Sequence, residues 1–85
     1  MFRAEPRIAW QILAGEAILL DLDNGRVVGL NETGTFLWPR IQDLEESELI
    51  ERLVREFEVD HETARRDLAR FVALLREHGF VRDAD

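Results

Sequence analysis

Apolar positions follow two periods along this chain. Up to about residue 30 they come in short runs that alternate as strands do; from Asn31 onward they recur at every third or fourth position, as helices require. Ile8–Leu13 is a short apolar run behind Pro6, and Ala14-Gly15 is a turn signal. Glu16–Leu22 comes next, with Ile18, Leu20 and Leu22 on one face and Ala17, Leu19 and Asp21 on the other. Both faces are largely apolar, so one can meet a core while the other needs partial cover. Asn24-Gly25 predicts a two-residue type I′ turn, joining Glu16–Leu22 to a third strand, Arg26–Leu30, as a hairpin. An isolated hairpin is marginal in water, so this one must pack on the helical segments C-terminal to it.

Helical spacing then takes over. Asn31 suits an N-cap, with Glu32 favourable in the first turn. Phe36, Leu37 and Ile41 give a short apolar face with Trp38 beside it. Pro39 removes a donor and clashes with the preceding turn, so this first helix is short, kinked or ends near Trp38. Asp43-Leu44-Glu45-Glu46 resembles a capping box for a second helix reaching about Phe57, with Leu49, Ile50, Leu53, Val54 and Phe57 on its apolar side. Glu48–Arg52 and Glu51–Arg55 are favourable pairs along it. Asp60 can cap a third helix from about His61 to His78, and Gly79 can terminate it. Phe80 and Val81 are expected to fold back as an apolar tail, and Arg82–Asp85 to fray. A three-stranded antiparallel sheet followed by three helices defines an α+β class, winged helix-turn-helix-like, in one domain over residues 1–85 with its core at about 8–81.

Composition narrows what such a domain can do. With 85 residues, of which 46% are hydrophobic, the chain can build one modest core and has little left for a deep substrate cavity. The absence of cysteine excludes disulfides, thiolate metal sites and iron–sulfur clusters. No apolar run approaches the roughly 20 residues that span a bilayer, and Met1–Ala9 carries Glu5 and Pro6 in place of a signal-peptide stretch. A soluble, cytoplasmic protein without membrane contact is expected. The net charge is −7 and every basic residue is arginine, which disfavours phosphate backbones and removes Schiff-base chemistry.

Catalytic candidates are few. The hydroxyl candidates are Ser47, Thr33, Thr35 and Thr63, and Ser47 sits among Glu45, Glu46 and Glu48 at a helix start, where it suits capping. His61 and His78 lie near opposite ends of one predicted helix, about 25 Å apart at 1.5 Å per residue, too far to share a metal. The carboxylates fall in first turns or opposite arginines, as on a solvated helix face. Gly29 and Gly34 do not form a phosphate loop, because no glycine-rich strand-to-helix spacing with lysine accompanies them. No enzyme, metal or cofactor is expected.

Two binding readings remain. The third helix carries Arg65, Arg66, Arg70 and Arg76, which would make it a recognition helix for DNA or a transcription partner, but Glu62, Asp67 and Glu77 share it. The alternative is strand addition at the edge of Arg26-Val27-Val28-Gly29-Leu30, which is apolar apart from its first residue. On a helical wheel Ala64, Leu68, Phe71 and Leu75 form the core face of the third helix, and Arg65, Ala69, Val72 and Arg76 form one shoulder that could wall a groove. Proline at Val28 is then expected to block the added strand.

The segment Leu19-Leu20-Asp21, Gly25-Arg26, Leu30-Asn31-Glu32-Thr33-Gly34 and Leu37-Trp38 resembles the PqqD family, as do Phe57-Glu58-Val59-Asp60, Asp67-Leu68, Phe71-Val72, Leu74-Leu75 and Gly79-Phe80-Val81. Pro39 and Gln42-Asp43-Leu44 depart from the family pattern between the first two helices. The resemblance implies a peptide chaperone, a recognition element for the precursors of ribosomally made, modified peptides, in PQQ biosynthesis or a related pathway. It implies that a precursor leader binds as an added strand and is presented to a modifying enzyme, commonly a radical SAM enzyme. Carried onto this sequence, the site would comprise Arg26, Val27, Val28, Gly29 and Leu30 on the strand, with Arg65, Leu68, Ala69, Val72 and Arg76 on the third helix. It would act without nucleic acid or membrane, as a monomer or a strand-swapped homodimer. Leu30, Asn31, Gly34 and Trp38 match the family motif but read as structural: Asn31 as a cap, Gly34 as a site of close packing and Trp38 as core.

Overall fold

The structure is a computed structural model and describes residues 2–83. Five strands and three α-helices appear in the order β1 (Phe2–Ala4), β2 (Ile8–Leu13), β3 (Glu16–Asp21), β4 (Arg26–Gly29), α1 (Glu32–Leu37), α2 (Glu46–Phe57), α3 (His61–Glu77) and β5 (Val81–Asp83). Strands β2, β3 and β4 form the expected antiparallel sheet with β3 at its centre. The third strand anticipated at Arg26–Leu30 is thus β4, one residue shorter. Helices pack on one side of this sheet only. Ala17, Leu19 and Asp21 of β3 face inward and are buried, whereas Ile18 and Leu20 on the other face are partly exposed.

Two turns exchange the roles expected of them. The tight two-residue connection is Ala14-Gly15, between Leu13 and Glu16 in register, with φ of 52° and 81° at its two centres as a type I′ turn demands. Asn24-Gly25 instead belongs to a four-residue loop between Asp21 and Arg26, and only Gly25 there has positive φ. The reason is Asp21. Its buried carboxylate accepts from the backbone N–H groups of Asp23 (3.0 Å) and Asn24 (3.3 Å), from the Asn24 side-chain amide (2.9 Å) and from Arg7 Nε (3.3 Å). A turn whose donors converge on one carboxylate needs more chain than a two-residue turn supplies.

Helix ends follow the sequence with one exception. Asn31 Oδ1 accepts from Gly34 N at 2.8 Å and caps α1; Asp60 Oδ1 accepts from Thr63 N at 2.7 Å and caps α3. Gly79, at φ 72°, closes α3 with its N–H on Arg76 O (3.0 Å) and that of Phe80 on Leu75 O (2.8 Å), a Schellman arrangement. Pro39 ends α1 as anticipated by opening a 3-10 turn over Trp38–Arg40. The capping box does not form: α2 starts behind Glu45 with no side-chain cap, and Asp43 lies in the preceding turn, its N–H on Arg40 O. Glu48 pairs with Arg52 (3.2 Å) as predicted, while Arg55 also reaches Glu48 (3.7 Å) and Glu51 meets His61 (3.0 Å), tying α2 to α3.

The tail corrects a further expectation. Arg82 and Asp83 pair in β5 with Phe2 and Arg3 of β1, making a second, two-stranded antiparallel sheet. Ala84 and Asp85, also expected to fray, lie outside the described residues. The core combines Leu19, Leu37, Ile41, Leu49, Leu53, Leu75 and Phe80, all 1% exposed or less, with Trp38 beside them.

Candidate functional site

Strand β4 hydrogen-bonds to β3 on one side and lies at the edge of the sheet on the other. Which backbone groups stay free is decided by one bond beyond the strand: Leu30 N donates to Ala17 O at 2.8 Å. Antiparallel ladders alternate, and the register pairs Leu19 with Val28 and Asp21 with Arg26, so residues 26, 28 and 30 turn their N–H and C=O groups toward β3. Val27 and Gly29 turn theirs outward. Proline at Val28 would therefore break the protein's own sheet rather than block a guest strand; the outward donors belong to its two neighbours.

Side chains alternate in the other sense. Arg26, Val28 and Leu30 share the helix-facing side with Leu19, while Val27, 63% exposed, stands on the outer face. Gly29 is open, since a Cβ there would touch only Ile18 Cδ1 at 3.6 Å. Beside this edge runs a groove of about 360 Å³, floored by Leu30, Asn31, Thr33 and Gly34 and walled by Asp67, Arg70, Phe71 and Leu74 of α3. Gly34 lets α1 approach α3 here, because a Cβ would come within 3.0 Å of Phe71 Cε1. At the other end of the strand, Arg26 Nη1 lies 3.2 Å from His78 Nδ1, and the His78 ring stacks on Phe80 at 5.3 Å. The connection from strand to helix is fixed by Thr35, whose Oγ1 accepts from Ala17 N at 2.9 Å.

The helix residues singled out from the sequence lie elsewhere. Leu68 and Val72 are buried in the core at 3% and 6% exposure. Arg65 pairs with Glu62, the Arg76 guanidinium lies over the Phe2 ring at 5.3 Å, and Ala69 is on the same side. At 100° per residue this shoulder and the groove-lining one flank the core face from opposite sides, roughly half a turn apart. The wheel defines two shoulders, and only the position of β4 chooses between them. Arg70 and Leu74 are legible in the sequence as an exposed basic and apolar pair one turn apart, but nothing local marks which shoulder meets the strand.

Among the described residues ionisation is perturbed at two carboxylates. Burial pushes Asp21 up, but its bonds to Asn24 and Asp23 and the nearby Arg7 more than offset this and hold it below its ordinary value. Asp60 is held down by its bonds to Thr63, with Arg66 and His61 nearby. Both serve as local caps. Among the described residues no group of three His, Asp or Glu side chains is placed to hold a metal ion, and no helix is long and apolar enough to cross a membrane.

A family model described as Coenzyme PQQ synthesis protein D (PqqD) matches residues 16–81. The chain belongs to the PqqD family. Two solved structures are similar to this PqqD-family chain over almost its whole length. One, TbiB1 in complex with the TbiA(beta) leader peptide, is 25% identical with a TM-score of 0.86 and covers 98% of this chain and 99% of its own. The other, a lasso peptide synthetase B1 complexed with the leader peptide, is 30% identical with a TM-score of 0.88 and covers 96% and 98%. No curated protein sequence matches. The α+β architecture anticipated from the sequence is the one this PqqD-family chain shares with both structures.

Proposed function

We propose that this chain is a peptide chaperone that binds the leader of a ribosomally made precursor as an added strand on β4 and presents it to a modifying enzyme. The observation that carries the reading is the outward row of Val27 and Gly29 backbone groups beside the Phe71–Leu74 wall. Backbone pairing supplies affinity to any extended segment, and the wall adds burial of alternate side chains. Burying about 300 Å² of apolar surface at roughly 25 cal/mol per Å² gives several kcal/mol before ordering costs, compatible with micromolar binding. Both similar solved structures hold a leader peptide, which supports the same class of guest here.

A radical SAM enzyme is the proposed recipient of the leader, in PQQ or a related pathway, with this chain contributing recognition rather than chemistry. The arginines of α3 do not favour the DNA-binding alternative. Arg65 is paired with Glu62, Arg66 lies near Asp60, Arg76 covers Phe2, and Arg70 turns into the groove, so they present no single cationic face.

Val27→Pro is the direct test. Proline is tolerated on an edge strand where the N–H faces solvent, so the circular dichroism spectrum should be preserved while affinity for the cognate leader falls at least tenfold. Unchanged affinity in a folded variant would move the site away from β4.

A further inference from the structure

We infer that the groove reads three alternate side chains of its guest: an acidic one beside Arg26 and His78, an apolar one over Phe71 and Leu74, and one that both donates and accepts hydrogen bonds between Arg70 and Asp67. The inference rests on strand addition at β4 and adds the chemistry of the peptide.

An added strand bonded to Val27 and Gly29 places every second side chain opposite Arg26, Val28 and Leu30, on the side facing α3. Two rulers agree on the spacing. Eight residues of helix separate Arg70 from His78, about 12 Å at 1.5 Å per residue. Four residues of strand cover about 13 Å at 3.3 Å per residue. Three alternate guest positions, counted in either chain direction, therefore fall against the Arg26 end, the apolar middle and the Arg70 end.

Charge decides what each position takes. The protein is acidic overall, at −7, yet the Arg26 end is basic. The carboxylate opposite Arg26 in register, Asp21, is buried and occupied by Arg7, Asn24 and the turn N–H groups. Arg26 gives one N–H to His78 and, among the described residues, pairs with no carboxylate, which leaves the other donors of its planar guanidinium at this end of the strand without an anionic partner. A guest carboxylate satisfies them in the geometry that guanidinium favours. In the middle, Phe71 and Leu74 offer only apolar surface, and Leu74 is 38% exposed. At the far end Arg70 and Asp67 stand one turn apart and, among the described residues, form no ion pair with each other. A carboxamide or hydroxyl answers both, whereas a guest charge of either sign meets one like charge.

The test uses the full chain and synthetic peptides carrying Glu-Thr-Leu-Thr-Gln, Lys-Thr-Leu-Thr-Gln or Glu-Thr-Ser-Thr-Gln, each in this order and in its reverse, at the centre of a neutral serine–threonine frame, with dissociation constants from fluorescence anisotropy and the tighter order of each compared. The first should bind at least tenfold tighter than either of the others, and Arg26→Glu should reverse the preference between the glutamate and lysine peptides. An Arg26→Glu variant that folds and keeps the parent preference overturns the inference, as does failure of the first peptide to bind. Val27→Pro separates the two levels. Loss of all binding in that variant together with no glutamate preference in the parent sinks only the side-chain reading; full retention of binding sinks strand addition at β4 and this inference with it.

Discussion

The sheet has two open edges, and they differ in what stands beside them. Strand β2 is the longer one and carries no charge over Ile8–Leu13, with Trp10 and Ile12 44% and 48% exposed. By the alternation that Leu13 opposite Glu16 and Leu22 N on Arg7 O impose, its outward groups belong to Ile8, Trp10 and Ile12, and Ile8 N is already taken by Glu5 O at 3.1 Å. Its neighbouring hollow, about 350 Å³, lies between Trp10, Trp38, Pro39 and Gln42 under the loop of residues 4–6. Strand β4 has only four residues but lies along a helix that supplies an apolar step and the Arg70 and Asp67 side chains, with Arg26 of the strand itself beyond the other end. Unpaired backbone is common to both edges; only β4 has a long wall that can tell one extended peptide from another.

The largest expected effect strikes both edges together. Leu19 is fully buried on the central strand, so Leu19→Ala should cost about 2–5 kcal/mol and lower the thermal midpoint accordingly, a large part of the ~5–15 kcal/mol that stabilises a small domain. Acidification should separate the edges. Asp21 titrates below its ordinary 3.8, so its contribution is complete above that value and is lost as pH falls through the lower folded value. Amide shifts of Asp23 and Asn24 should move through that transition while those of Ala14 and Gly15 stay put, because only the β3–β4 loop is organised on a carboxylate. The smallest effect is the most decisive for the comparison. Trp10→Pro removes an outward donor from β2, as Val27→Pro does from β4, and should leave the dissociation constant for a leader within about twofold. A loss matching that of Val27→Pro would assign the guest to the β2 edge.

What the sequence disclosed depended on how local the cause was. Asn31, Asp60 and Gly79 act on backbone groups within a few residues, and each is legible as a cap from its neighbours in the chain alone. The apolar face of α3 is a property of its own spacing, and Ala64, Leu68, Phe71 and Leu75 are all buried. The turn at Asn24-Gly25 departs from its local signal because its conformation is set by Asp21 and Arg7, and Arg7 is 14 residues away from that carboxylate. The β1–β5 pair joins opposite ends of the chain through three-residue strands, too short for a period to register. The groove wall fails for the same reason: which shoulder of a helix meets a strand some 40 residues earlier is a fact of assembly, not of pattern.

That pairing of Phe2–Ala4 with Val81–Asp83 has an engineering consequence. The entry and exit of the fold run side by side, about one interstrand spacing apart, near 4.8 Å. A short linker could therefore splice the domain into a surface loop of another protein, or close it into a circular permutant reopened at Ala14-Gly15, without stretching the backbone.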